Sequence, residues 1–377
     1  MTNGSAAETP RGAEGGKPGK CLLIAGGGTG GHVFPAMAVA REWLRREAEG
    51  ARSVVLVGTE RGMEARLVPQ AGLPLETIRV AGLKGMGGTK LLKNLAMVPA
   101  GLWDSERIVQ RHKFSAAFGV GGYAAGPVLL VARMHGIRSV IFEPNVEPGF
   151  TNRVLGGIAT RIACGFEETA QRFGAKAKAT GIPVRKEFFA APAREHREPF
   201  RILITGGSRG ALPINRAVID SLDLLLPRKN QLFIVHQTGE RDYNAVRVAY
   251  ARREFRAEVL PFIENMAERF AQADLIVCRS GAITVAEVAA AGRAAIFIPF
   301  GAATDAHQTR NAEAMQNAGA ARLLPQTELT PQRLTQEIFS LLDQPQRIAE
   351  MEECARKLAR PHAVEDIVDM IESLVRA

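Results

Sequence analysis

A chain of 377 residues is longer than one ordinary hydrophobic core organises, so two domains are expected. Its 46% hydrophobic and 23% charged residues describe a globular protein, and four single cysteines (21, 164, 278, 354) exclude a disulfide framework or paired-cysteine zinc site and fit a reducing cytoplasm. The net charge of +9 sits in one half: residues 1–183 hold 23 Lys+Arg against 14 Asp+Glu and residues 184–377 hold 25 of each, pointing to an anionic partner such as nucleic acid, anionic lipid or a phosphorylated substrate.

Residues 1–20, MTNGSAAETPRGAEGGKPGK, are polar and lack the apolar stretch of a signal peptide, so they read as a disordered tail. Residues 21–40, CLLIAGGGTGGHVFPAMAVA, then run from a strand through five glycines into a helix. Gly26, Gly28 and Gly31 satisfy G-x-G-x-x-G, yet the acidic residue a dinucleotide site needs is misplaced: Glu60 comes roughly 30 residues after the last glycine. No G-x-x-x-x-G-K-[ST] occurs, which excludes a P-loop. His32 stands where the helix begins. It is either a residue that tolerates a tight turn or a general base, because a neutral imidazole can take a proton from a hydroxyl near pH 7.

Further along, residues 79–113 hold seven Lys+Arg against two acids, interleaved with Leu83, Met86, Leu91, Leu92, Leu95, Val98 and Trp103. These apolar residues either pack a helix onto the first domain or form a patch, rimmed by Lys84, Lys90 and Lys93, for an anionic membrane surface. The charge-free stretches 21–40 and 114–132 contain glycines and an internal proline, and divide into strand, turn and helix start rather than membrane spans. GVGGYAAGP (119–127) and FEPN (142–145) follow strands and place Tyr123, Glu143 and Asn145 on one cleft rim.

The runs SVVLVG (53–58), SVIFE (139–143), RIACG (161–165), FRILITG (200–206), QLFIVHQ (231–237), ADLIVC (273–278) and AAIFIPF (294–300) alternate with helical stretches, the pattern of helix-covered parallel sheets. LLIAGG (22–27) returns as ILITGG (202–207), each followed by a helix with an early proline, Pro35 or Pro213. The fold class is therefore α/β: two tandem Rossmann-like domains, 21–182 and 183–360, facing across one cleft, with the joint near TGIPVRKEF (180–188).

In the second half, TGGSRGA (205–211) offers Ser208 and free N–H groups to a diphosphate, or is a plain turn. CRSGAITVAEVAAAG (278–292) repeats the device, and Glu287 either holds a ribose diol or lies on a solvated helix face. PFGAATDAHQTRNA (299–312) brings Asp305, His307, Gln308 and Asn311, of which Gln308 and Asn311 share a helix face suited to sugar hydroxyls or simply to water. There is no D-x-D pair and no metal-ligand cluster, so a departing diphosphate must be met by helix ends and arginines, with Arg185 a candidate.

Taken in order, GGGTGGHVFPAMAVA, GVGGYAAGP, EPN, PVR, GGSRGA, CRSGAITVAEVAAAG and DAHQTRNA closely resemble the MurG family of bacterial glycosyltransferases, from about residue 20 to the end. The resemblance implies the two-domain GT-B architecture, with the donor UDP-N-acetylglucosamine in the C-terminal domain. It places the acceptor, lipid I, and the membrane contact in the N-terminal one, onto which residues 361–377 cross back. It implies donor contacts at Thr29, Gly30, Gly31, Asn145, Arg185, Ser208, Ile263, Ala282, Ile283, Thr284, Val285, Ala286, Glu287 and Gln308. It also implies an inverting transfer from an α-linked donor to a β-1,4 product; such a displacement needs a base on the acceptor hydroxyl, for which His32 is the first choice and Glu143 the second, with Tyr123 beside them. No metal and no cofactor are expected. Membrane contact is expected at Lys84, Lys90, Leu91, Leu92, Lys93 and Trp103, on the cytoplasmic face of the inner membrane, with cell-wall synthesis and division proteins as partners. The chain departs from the family's usual residues at Ile182, Pro144 and Arg209. Two other readings are another UDP-sugar transferase of the same architecture and a basic nucleic-acid-binding protein; three tyrosines and no interleaved Arg/aromatic stretch speak against the last.

Overall fold

The computed structural model describes residues 19–46, 52–80, 97–192, 198–301 and 306–375. Seven strands form the first sheet: β1 (Lys20–Ala25), β2 (Arg52–Gly58), β3 (Leu75–Thr77), β4 (Phe114–Gly119), β5 (Ser139–Glu143), β6 (Arg161–Cys164) and β7 (Ala177–Ala179). Six form the second: β8 (Phe200–Thr205), β9 (Leu232–Gln237), β10 (Ala257–Leu260), β11 (Leu275–Cys278), β12 (Ala294–Phe297) and β13 (Ala321–Leu323). Both sheets are parallel, in the orders β3-β2-β1-β4-β5-β6-β7 and β10-β9-β8-β11-β12-β13.

Helices cover both faces, which is why the central strands are apolar without alternation. In β1, Leu22 and Ile24 enter one core and Leu23 and Ala25 the other. The strand order reverses beside β1 and again beside β8. Each reversal is a topological switch point, where the crevice outside the strand ends accepts ligands. The two glycine loops leave β1 and β8 at these points.

The chain crosses between domains twice, and the crossings touch. Gly181 has φ +82°, and a Cβ there would lie 2.4 Å from Cβ of Arg360. After the second crossing the Ala363–Glu372 helix lies on the Gly30–Arg45 helix, sending Ile367, Val368 and Ile371, with Leu374 just past its end, into the cluster that holds Leu22, Ile24 and Trp43. Burying each such side chain is worth about 1.5–3 kcal/mol, an upper estimate, whereas exposed ion pairs contribute about 0–1. The apolar seam therefore outweighs the Arg46–Asp369, Arg52–Glu372 and Lys178–Asp366 pairs beside it.

Candidate active site

The first glycine loop is shaped by close backbone approach. Gly26 has φ +143°, and a Cβ there would fall 2.5 Å from the Gly121 carbonyl oxygen; one at Gly122 would fall 2.4 Å from that of Gly27. GGG (26–28) and the glycines of GVGGY are thus two halves of one wall. Behind it lies Glu64, 1% exposed. Its Oε2 accepts from Gly28 N at 2.7 Å, and its Oε1 from Thr59 N and Thr59 Oγ1, both at 2.9 Å. Cβ atoms at Gly27, Gly58 and Gly62 would stand 2.3, 2.4 and 2.1 Å from this side chain, so three glycines make its room. Sequence reasoning missed Glu64, which reads as an ordinary acidic residue in the first turn of the Glu64–Gln70 helix.

His32 lies in the first turn of the Gly30–Arg45 helix, its N–H donating to Thr29 O at 3.0 Å. Its Nδ1 is 3.1 Å from Gly27 O, with Thr29 Oγ1 at 3.3 Å. A carbonyl only accepts, so Nδ1 carries the proton of the neutral ring and Nε2 keeps its lone pair. Nε2 faces Gly121, where a Cβ would stand 3.3 Å away; glycine leaves that approach open. Burial lowers the His32 pKa below the usual imidazole value, partly offset by the Gly27 carbonyl, Glu143 and Glu64. The ring is neutral at pH 7 and fit to accept a proton.

Glu143 is different. Its Oε1 accepts from Asn145 N (2.9 Å) and Asn145 Nδ2 (3.0 Å), its Oε2 from Gly149 N (2.9 Å) and Asn152 Nδ2 (3.0 Å). A buried carboxylate with two donors on each oxygen organises the 144–149 turn. The same network explains why Pro144 is tolerated: none of the four donors is the N–H that proline lacks. Tyr123 sits 53% exposed on the rim, and its hydroxyl has no hydrogen bond among the described residues.

In the second domain, Gly210 (φ +71°) passes so close to Thr238 that a Cβ would lie 1.8 Å from its carbonyl oxygen. Buried Gln237 ties the loop together, donating to Gly207 O (2.8 Å) and Thr205 Oγ1 (3.2 Å) while accepting from the Ile263 N–H (2.8 Å). It too was missed, being one polar residue at the end of an apolar strand. Ser208 and Arg209 are exposed at the loop tip, ahead of the Leu212–Leu225 helix. A neutral amide backs this loop and a carboxylate backs the first, so a diphosphate is electrostatically favoured at the second.

The Ala282–Ala291 helix begins after Gly281 with no side-chain cap, leaving its first N–H groups for a ligand. Six consecutive helical residues point round more than one turn, so the expected run is split. Ala282 and Val285 are buried, and Ala282, Ile283 and Ala286 join the first domain's apolar cluster. Thr284 and Glu287 are half-buried. The Glu287 carboxylate has no hydrogen bond among the described residues, and burial pushes its pKa up to about 7 against the opposing charge of Arg185. Arg185 is exposed, its guanidinium 5.1 Å over the Phe188 ring.

Arg279 is a structural strut, donating to Ile298 O, Pro299 O and Gln326 Oε1. In the His307–Asn317 helix, Gln308 Oε1 accepts from Phe300 N at 2.9 Å, and its Nε2 makes no bond among the described residues. Asn311, expected to read sugar hydroxyls, is buried and bridges the domains instead: it accepts from Val146 N and donates to Asn145 Oδ1 and Ser280 O. His307 Nδ1 lies 2.8 Å from Glu147 O across the same boundary. Asp305, Lys84, Lys90, Leu91, Leu92 and Lys93 lie outside the described residues. Among the described residues no three His, Cys, Asp or Glu side chains could jointly hold a metal ion, and no helix is long and apolar enough to cross a membrane.

Residues 22–164 match the glycosyltransferase family 28 N-terminal domain, and residues 201–367 its C-terminal domain. The chain is 45% identical over 357 residues to the UDP-N-acetylglucosamine–N-acetylmuramyl-(pentapeptide) pyrophosphoryl-undecaprenol N-acetylglucosamine transferase of Myxococcus xanthus, covering 94% of this chain and 93% of that relative. It is 42% identical over 358 residues to the protein of the same name from Syntrophus aciditrophicus, at 94% and 99% coverage. Its structure is similar to the crystal structure of MurG from Acinetobacter baumannii, with a TM-score of 0.79 at 34% identity, covering 94% of this chain and 99% of that one.

Proposed function

The chain belongs to glycosyltransferase family 28, and we propose that it moves N-acetylglucosamine from UDP-N-acetylglucosamine to the 4-hydroxyl of the N-acetylmuramic acid of lipid I, forming lipid II through a β-1,4 link. The observation that carries the chemistry is His32, with Nδ1 tied to Gly27 O and Nε2 directed at the opening above Gly121. In one displacement the acceptor oxygen attacks the anomeric carbon from the face opposite UDP. The hydroxyl proton passes to Nε2, and the electrons of the breaking C–O bond go to the diphosphate. The N–H groups before Leu212 and Ala282, with Ser208, Arg209 and Arg185, meet the charge that develops there.

On this reading the uracil lies by Ile263, Glu287 takes the ribose diol with two hydrogen bonds, and the free Nε2 of Gln308 reads a hydroxyl of the donor sugar. Thr29, Gly30, Gly31 and Asn145 close the site from the acceptor domain. The acceptor's lipid keeps the enzyme on the cytoplasmic membrane surface as a peripheral protein, in reach of other cell-wall synthesis and division proteins. Release of UDP measured with and without a lipid I analogue tests the assignment: acceptor-dependent release is expected, and release indifferent to the acceptor overturns it.

A further inference from the structure

Gly27 O and Gly28 N belong to one peptide group. His32 Nδ1–H donates to its carbonyl end (3.1 Å), and its N–H end donates to Glu64 Oε2 (2.7 Å). Because a trans peptide points its C=O and N–H in opposite directions, imidazole, peptide and carboxylate form a line. In many histidine bases a carboxylate bonds the imidazole directly, fixing the tautomer and stabilising the imidazolium. Here one peptide plane stands between them.

The loop is built around this arrangement. Glu64 is buried, has its other oxygen filled by Thr59, and occupies space kept by Gly27, Gly58 and Gly62. A buried carboxylate is costly where a neutral residue would cap one N–H, so capping alone does not account for its charge. Hydrogen bonds in series polarise one another: a carboxylate on the N–H makes the opposite carbonyl a stronger acceptor.

Resting on the reading of His32 as the base, we propose that Glu64 is its positioning residue, holding the ring tautomer and supporting the imidazolium through the Gly27–Gly28 peptide. The charged groups acting on His32 are Glu64 behind the loop and Glu143 at the end of β5; the Thr29 hydroxyl and the Asn152 amide near Gly121 are neutral. Glu143 spends its oxygens on Asn145, Gly149 and Asn152 and makes no hydrogen bond to the Gly27–Gly28 peptide, so the peptide that holds Nδ1 is bonded to Glu64.

The test joins kinetics to NMR. Glu64→Gln removes the charge and should lower kcat about 10- to 100-fold, the scale for losing a partner that orients a histidine, with the KM for UDP-N-acetylglucosamine within about twofold. Activity needs neutral His32 and rises with pH through its pKa. Losing a nearby negative charge lowers that pKa, so the rising limb of kcat/KM should move to lower pH, while Glu64→Asp should keep it near the wild-type position. Unchanged kcat and an unmoved limb in Glu64→Gln overturn the proposal. If the variant does not fold, the wild-type protein decides: with ¹⁵N-glycine labelling, the Gly28 amide proton should shift downfield in step with His32 protonation, and a flat Gly28 signal overturns the proposal. His32→Ala separates the two readings. If it retains turnover and the limb, the base assignment fails; if it loses both while Glu64→Gln behaves as wild type, only the Glu64 inference fails.

Discussion

Asn311 Nδ2 lies 3.2 Å from Asn145 Oδ1, a side-chain bond between the two domains. The same asparagine accepts from Val146 N and donates to Ser280 O, so one buried side chain joins the turn after β5 to the start of the Ala282–Ala291 helix. Asn311→Ala leaves Val146 N–H unpaired in a buried place, at a cost of about 1–3 kcal/mol. At about 2–4 °C per kcal/mol for domains of this size, a fall in melting temperature of roughly 2–12 °C is expected. Because the domain relation sets the reach from His32 to the sugar, kcat should drop more than the donor KM rises. Thermal scanning with steady-state kinetics checks both, and a wild-type melting temperature would deny the bridge its role.

His32→Ala is expected to reduce kcat by ~10²–10⁴, the range for loss of a general base. Donor affinity, which the proposed reading assigns mainly to residues of the other domain, should stay within about twofold in calorimetry. Turnover close to wild type would pass the role to a water molecule, since Glu143 has its oxygens filled.

With Glu287 as the proposed ribose ligand, donor binding should depend on pH. Burial pushes its carboxyl up to about 7, and on that reading the ribose hydroxyls need the ionised form as acceptor. Binding therefore favours deprotonation: affinity for UDP-N-acetylglucosamine should fall as pH drops from 8 to 6 and be flat above about 8. Glu287→Ala should weaken binding by roughly 1.5–3 kcal/mol and abolish this slope. A 2′-deoxyribose donor should lose little further affinity in the variant. Calorimetry at several pH values decides, and a slope that survives the substitution assigns the titration to another group.

With N–H groups and arginines available to a leaving diphosphate, turnover should survive EDTA. Abolition by chelation with rescue by Mg²⁺ or Mn²⁺ would refute that account of the leaving group.

Legibility of the fold followed burial. Strands in the middle of each sheet are covered on both faces and stand out as apolar runs, so β5 was located to the residue and β8, β9 and β12 to within three. β3, β7, β10 and β13 are the four sheet edges, only three or four residues long and mostly half-buried; they leave no apolar run to read. At the site, His32 was legible because it interrupts a glycine loop. Glu64 and Gln237 act on backbone groups distant in sequence, and nothing local distinguishes a glutamate at a helix start or a glutamine at a strand end. Asn311 was misread because helix periodicity says which residues share a face, not whether the face meets water or another domain.

The last prediction concerns the membrane. On the proposed function the lipid-linked acceptor stays in the bilayer, which would bring the enzyme to its surface. Trp103, on the Val98–Arg111 helix, is 64% exposed, an unusual place for a large apolar ring unless an interface receives it. It belongs to the same basic stretch, 79–113, as Lys84, Lys90 and Lys93. A basic residue near an anionic surface contributes about 1 kcal/mol, screened by salt, so three lysines change the partition by about two orders of magnitude. Binding to vesicles containing phosphatidylglycerol or cardiolipin is expected, with weak binding to neutral vesicles and release at high salt. Replacing the three lysines with glutamate should abolish that binding and leave UDP-N-acetylglucosamine affinity intact, while Trp103→Ala should weaken it without altering its salt dependence. Were the triple variant still to sediment with anionic vesicles, the contact would lie on another face of the first domain.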